Sequence, residues 1–251
     1  MGPEPDPCPD HRRCRLSLYR HVPPRIPGYP DKLRKKPRTA GRSGIGTAGY
    51  AWHRQGRGNG RLGRGPAAVQ FALRHSDRCA GLVLVSTCSD RIDGNIPFSF
   101  KVMKYLARWS WFADRFRKKA EQDLEAVAGR SIRDPEILAR TINDADTWPL
   151  FRTMMLSTFS RMGQRMAGTG NDIEISRRTT YPLEDLNVPV LVVHGTEDRL
   201  VPFEKHAKRY ESRVANAELL AVDGGEHVAI FTHRGIVRPK VIEFMRRHFK
   251  A

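Results

Sequence analysis

The sequence is poor in cysteine, has no long apolar run and, over its first 64 residues, shows no hydrophobic period. Its four cysteines, Cys8, Cys14, Cys79 and Cys88, form no CxxC pair and no evident disulfide framework, which points to a reducing, cytoplasmic compartment. No stretch approaches the length of a membrane span and the first residues lack an apolar signal segment, so no membrane partner is expected. Acidic residues are scarce before Gly65: residues 1–64 carry 15 Lys and Arg against 4 Asp and Glu, while residues 65–251 carry 29 against 23. Most of the formal net charge of +17 therefore sits in the segment without a core pattern.

Such a basic segment could bind polyanions through counterion release. It lacks interleaved aromatics and matches no zinc-finger or helix-turn-helix spacing, so no specific nucleic-acid partner is expected. Pro3, Pro5, Pro7 and Pro9, the pair Pro23-Pro24 and the glycines between Gly41 and Gly60 break any regular element. Residues 1–64 are accordingly expected to be disordered, with neither strand nor amphipathic helix.

From Gly65 onward the language changes. Pro66 to His75 reads as a helix with proline in its first turn, and Gly81 to Thr87 as a buried strand. Residues 96–170 read as mostly helical. They contain two stretches rich in aromatic or methionine side chains, one from Phe100 to Phe116 and one from Met154 to Met166. Stripes of this kind usually pack into a helical core, and that is the expectation here. A strand over Val188 to Gly195, a helix over Glu204 to Val214, a strand over Glu218 to Val222 and a helix over Val237 to Phe249 complete the chain. Apolar strands alternating with helices predict an α/β fold with a parallel sheet covered on both faces.

Two short blocks carry chemistry. His194-Gly195-Thr196-Glu197-Asp198-Arg199-Leu200-Val201-Pro202 follows one buried strand, and Gly224-Gly225-Glu226-His227-Val228 follows the next. Alone, Asp198 could form a turn and His227 could be a satisfied loop histidine. In this order, at two strand ends, they read as the acid and base of a nucleophilic site, the acid fixing the imidazole tautomer and the imidazole taking the nucleophile's proton.

Over residues 65–251 the chain resembles the α/β-hydrolase family, in particular small capped esterase- and peptidase-like members with a G-x-S-x-G-G-P elbow. The resemblance implies a helical cap over about residues 96–170, Asp198 as acid and His227 as base. It implies attack by serine on an ester or, less readily, an amide carbonyl of a small-molecule substrate, with no cofactor and no metal. The elbow departs from the pattern. Aligned back from Pro66 it reads Gly60-Arg61-Leu62-Gly63-Arg64-Gly65, which places Leu62 in the nucleophile slot and Arg64 in the closing glycine slot. Leucine cannot attack a carbonyl, so the chain is expected to be inactive.

Reading the codons of Asn59 to Arg64 one base later permits M-G-V-S-A-G, which is the missing elbow. Longer shifted runs over Val22 to Asp31 and Ala48 to Gln55 permit hydrolase-like segments too, and no stop codon is forced. Residues from about 16 to 64 are thus read as an out-of-frame translation of a hydrolase's middle, and residues 1–15 as a truncated start. The competing reading is a non-catalytic basic binding protein whose first 64 residues form an arm for polyanions.

Overall fold

The computed structural model of the chain describes residues 48–53, 65–92, 98–159 and 162–248. The elements run β1 (Ala48–His53), α1 (Gly65–Arg74), β2 (Cys79–Val85), α2 (Phe98–Leu106), α3 (Ser110–Gln122), α4 (Leu124–Gly129), α5 (Pro135–Asn143), α6 (Trp148–Ser157) and α7 (Met162–Arg178). After these come β3 (Val190–Gly195), α8 (Phe203–Arg213), β4 (Ala217–Val222), α9 (Ala229–Thr232) and α10 (Arg234–His248).

The four strands form one sheet in the order β1-β2-β3-β4. β2 pairs parallel with β3, and β3 pairs parallel with β4. The central strands are apolar on both faces because both faces are covered. Leu82, Leu84, Val190 and Val192 point into a core shared with α1 and α8, where Val69, Ala72, Ala207 and Tyr210 are buried. Their neighbours Val83, Val85, Leu191 and Val193 point into a second core closed by α9 and α10 through Ala229, Val237 and Phe244. Each of these valines and leucines is at most 4% exposed. Full burial of one such side chain is worth about 1.5–3 kcal/mol, so the two faces anchor the sheet.

The expectation of no strand before Gly65 is corrected at one place. Ala48–His53 is a strand, and it pairs antiparallel with β2, from Ala48 opposite Val85 to His53 opposite Cys79. Tyrosine and tryptophan favour strands, and the outer edge of β2 offers unpaired backbone N–H and C=O groups that a neighbouring chain can satisfy. That pairing, across intervening chain, leaves no local pattern to read. β2 is therefore not an open edge, and the sheet is mixed rather than wholly parallel. The rest of the expectation for residues 1–64 lies outside the described residues.

Between β2 and β3 the chain is helical, as expected. Local signals set the boundaries: Asp134 caps α5 by accepting from the Glu136 and Ile137 backbone N–H groups at 2.8 and 3.0 Å, with Pro135 in the first turn. Phe151 and Met155 of α6 are buried against Ala128, Ile132 and Val228, with Phe231 packed alongside. The helical insertion thereby rests on the segment after β4. The first aromatic stretch does not pack as expected. Tyr105, Trp109 and Trp111 are 57%, 43% and 63% exposed, together with Phe98 at 78%. Two faces of α2 are apolar, and the tertiary packing selects the other one. Among the described residues no helix is long and apolar enough to cross a membrane.

Candidate active site

β3 ends at Gly195 and β4 at Val222, side by side in the sheet, so the loops that follow them emerge together. They are laced by backbone bonds: Thr196 N–H to the Val222 carbonyl at 3.0 Å and Glu197 N–H to the Gly225 carbonyl at 2.9 Å. The Thr196 hydroxyl accepts from Gly224 N–H at 3.0 Å. Two glycines permit this approach. A Cβ on Gly195 would fall onto the Gly225 carbonyl, and Gly224 turns the chain with φ of +63°.

The lacing brings Asp198 and His227 together, although 29 residues separate them. His227 Nδ1 lies 2.8 Å from Asp198 Oδ2. Asp198 also forms the turn that its position suggests, since its Oδ1 accepts from the Leu200 and Val201 N–H groups at 2.9 Å each. Both readings of Asp198 thus hold at once, one on each carboxylate oxygen. With Nδ1–H donated to the carboxylate, His227 Nε2 is left with its lone pair, the form that can accept a proton.

Behind this pair lies a second histidine. His194, fully buried, donates from Nε2 to the Val201 carbonyl at 2.7 Å and approaches Asp198 Oδ2 at 3.4 Å. Its Nδ1 has no hydrogen-bond partner among the described residues. Burial pushes the Asp198 carboxyl up. The hydrogen bonds from His194 and His227 pull it down further, so it ends well below the usual carboxylate range. The acid is charged at any physiological pH.

The end of β2 completes the surroundings. Ser86, 2% exposed, is held with φ of +46° and donates its hydroxyl to the His227 carbonyl at 3.1 Å. Burial, then the charge of Asp198, pushes the Cys88 thiol up to about 12, so it remains protonated. Ser89 N–H donates to His206 Nδ1 at 3.2 Å. Burial, with Lys205 and His194 nearby, pushes His206 down to about 4, leaving a neutral wedge beneath the site. Glu226 ties the loop to the helical insertion by accepting the Arg133 N–H at 2.8 Å.

Both predicted residues, Asp198 and His227, are therefore in contact, and Leu62 lies outside the described residues. Among the described residues no hydroxyl or thiol is hydrogen-bonded to His227 Nε2. No group of three or more His, Cys, Asp and Glu side chains among them converges to hold a metal ion. Sequence reasoning missed Ser86, His194 and His206. His194 stood inside the quoted block, but nothing local shows that it backs the acid.

A carboxylate-backed imidazole thus stands at the neighbouring ends of two parallel strands in a helix-covered sheet. The model of the alpha/beta hydrolase fold family matches residues 65–234, and the chain belongs to that family. It is 36% identical over 67 residues to a non-heme chloroperoxidase of Streptomyces lividans, covering 27% of this chain and 24% of that protein. It is 33% identical over 67 residues to a bifunctional esterase/perhydrolase of Acinetobacter calcoaceticus, with the same coverage. Among solved structures it is similar to an alpha/beta hydrolase fold protein from Nakamurella multipartita, at 26% identity and a TM-score of 0.58 over 72% of this chain and 66% of that one. The enol-lactonase of Burkholderia xenovorans LB400 shares the fold, with a TM-score of 0.51 at 20% identity over 72% and 62% of the two chains. The alignments span about a quarter of the curated relatives and just under two thirds of the structural ones.

Proposed function

We propose that Asp198 and His227 are the acid and base of a serine-hydrolase triad whose reaction is acyl transfer from a small-molecule ester, and that the chain as it stands is inactive because Leu62 occupies the nucleophile slot. The observation that supports this most directly is the 2.8 Å contact between His227 Nδ1 and the buried Asp198 carboxylate at adjacent strand ends. The esterase/perhydrolase relative favours an ester over an amide. In the complete reaction a serine hydroxyl attacks the ester carbonyl while His227 Nε2 takes its proton, and the imidazolium is stabilised by Asp198. The same imidazolium then protonates the departing alkoxide. Water, activated in turn by His227, releases the acid from the acyl-enzyme. The helical insertion, resting on Val228 and Phe231, acts as a cap whose apolar lining takes an apolar substrate moiety.

The test compares the chain with a version whose residues 16–64 are read one base later, supplying serine in place of Leu62. The chain itself is expected to leave activated short-chain esters untouched, since loss of the nucleophile costs on the order of 10⁶ in turnover in a well-studied serine protease. The frame-corrected chain is expected to react with a fluorophosphonate probe, with labelling lost on His227→Ala. A folded frame-corrected chain that resists the probe would refute the serine chemistry and leave only the fold. Salt-sensitive nucleic-acid binding that disappears on deleting residues 1–64 would favour the basic-arm reading instead.

A further inference from the structure

We propose that the face of the helical insertion running from Phe98 to Trp111 docks the chain onto an anionic lipid surface. This inference is independent of the hydrolytic reading. It starts from the exposure of Phe98, Val102, Tyr105, Trp109 and Trp111, which range from 39% to 78% exposed and fall within 14 consecutive residues. Water tolerates scattered apolar side chains, but a contiguous aromatic patch marks an interaction surface.

The geometry of α2 sorts its residues into three faces. At about 100° per residue, Phe98, Val102, Tyr105 and Trp109 fall in a stripe about 60° wide. Tyr105 and Trp109 meet edge to face with ring centroids 5.2 Å apart, which confirms that the stripe continues past the end of α2. On the opposite side, Phe100 and the Ala107 carbonyl lie against α7, where Gly163 and Gly170 let α2 approach closely; a Cβ at Gly163 would sit within 2.5 Å of that carbonyl. The inward face is thus already occupied, and the aromatic stripe is the face left outward.

The third face is basic. Lys101, Lys104 and Arg108 form a row between the aromatic stripe and the seam with α7, where Lys104 Nζ lies over Gly170 and the Arg108 backbone near Gly163, and all three side chains are exposed. Over residues 98–122 there are 7 Lys and Arg against 2 Asp and Glu. An apolar aromatic stripe flanked by cations fits an interface with two layers, hydrocarbon below and anionic headgroups above. Tyrosine and tryptophan sit favourably at the headgroup level of any bilayer, and the single row of cations beside them matches anionic headgroups. Docking of this kind needs no spanning helix.

The test uses the full chain and vesicles of phosphatidylcholine with or without phosphatidylserine. Co-sedimentation is expected with phosphatidylserine vesicles at low salt and is expected to weaken as salt rises. Trp109→Ser with Trp111→Ser leaves every charge in place, including those of residues 1–64, and is expected to lower partitioning about tenfold or more. In a Trp52→Phe, Trp148→Phe chain, only Trp109 and Trp111 remain to report, and brominated acyl chains are expected to quench their fluorescence. Unchanged partitioning in the double serine variant would reduce the effect to polycation adsorption and overturn the proposal. So would an absence of quenching, or self-association that the same substitutions abolish without any vesicle binding.

Discussion

The Ser86 hydroxyl donates to the backbone carbonyl of His227 across 141 residues of sequence, at 3.1 Å. Ser86 meets this requirement from a left-handed backbone, φ +46°, while its own N–H continues the ladder to the Val193 carbonyl at 3.0 Å. The end of β2 therefore positions the base of the candidate site through its main chain, not through the imidazole.

Substitutions at Ser86 separate the strain from the hydrogen bond. Ser86→Gly relieves a backbone cost of about 1 kcal/mol and loses a hydrogen bond of about the same worth, so its urea midpoint is expected near that of the unsubstituted chain. Ser86→Val keeps the strain, worsens it through β-branching and orphans the carbonyl, with an expected loss of about 2–4 kcal/mol. Equal stability of the two variants would show that the positive φ carries no energetic weight.

Acid sensitivity follows from two groups in separate windows. His206 is neutral when folded down to about pH 4, but its unfolded form takes a proton below its ordinary value of 6.5. Stability is therefore full above 6.5 and falls as the pH drops towards 4, by about 3 kcal/mol at most. Asp198 is shifted in the same direction, downward, and acts to the same effect at lower pH. Its folded value is depressed, so its contribution is present above the ordinary carboxylate value and lost as pH falls below it. Urea unfolding at a series of pH values, in the chain and in His206→Phe, is expected to show the upper window removed by the substitution and the lower one retained.

Removing the buried acid is expected to be costly even without catalysis. Asp198→Ala orphans the Leu200 and Val201 N–H groups and leaves His227 Nδ1–H without its partner. A loss of about 3–5 kcal/mol is expected by chemical denaturation. In a frame-corrected chain, Asp198→Asn is expected to lower ester turnover by about 10⁴ if the protease precedent transfers, because the amide holds the wrong tautomer.

Two glycines make a matched pair. A Cβ at Gly195 meets the Gly225 carbonyl, whereas one at Gly235, in the first turn of α10, meets nothing within 4 Å. Gly195→Ala is expected to destabilise by about 2 kcal/mol or more and to loosen the His227 loop. Gly235→Ala is expected to stabilise by up to about 1 kcal/mol through helix propensity. Thermal melts of the two variants against the unsubstituted chain check both signs.

Asp198 and His227 were legible because each sits in a short block directly after an apolar strand, and strand ends are where a parallel sheet presents its loops. Helices α1 and α8 were legible because an amphipathic period of 3.6 residues is a local property. Ser86 was not legible, since a serine at the end of a buried strand shows neither its φ nor its partner. β1 was not, because its strand identity comes from the open edge of β2 and not from an apolar period of its own. The outward turn of Tyr105, Trp109 and Trp111 was not either, because α2 carries two apolar faces and only its close approach to α7 at Gly163 decides which one is half-buried and which is left exposed.

The sequence by itself carried the alternation of strands and helices after Gly65 and the two short blocks that hold Asp198 and His227, because periodicity and short motifs act over a few residues. Tertiary structure alone decided which strands are neighbours, that one carboxylate serves both His227 and His194, and which helix face meets the solvent. Those outcomes depend on groups distant in sequence meeting within hydrogen-bonding and van der Waals range, which no local pattern encodes.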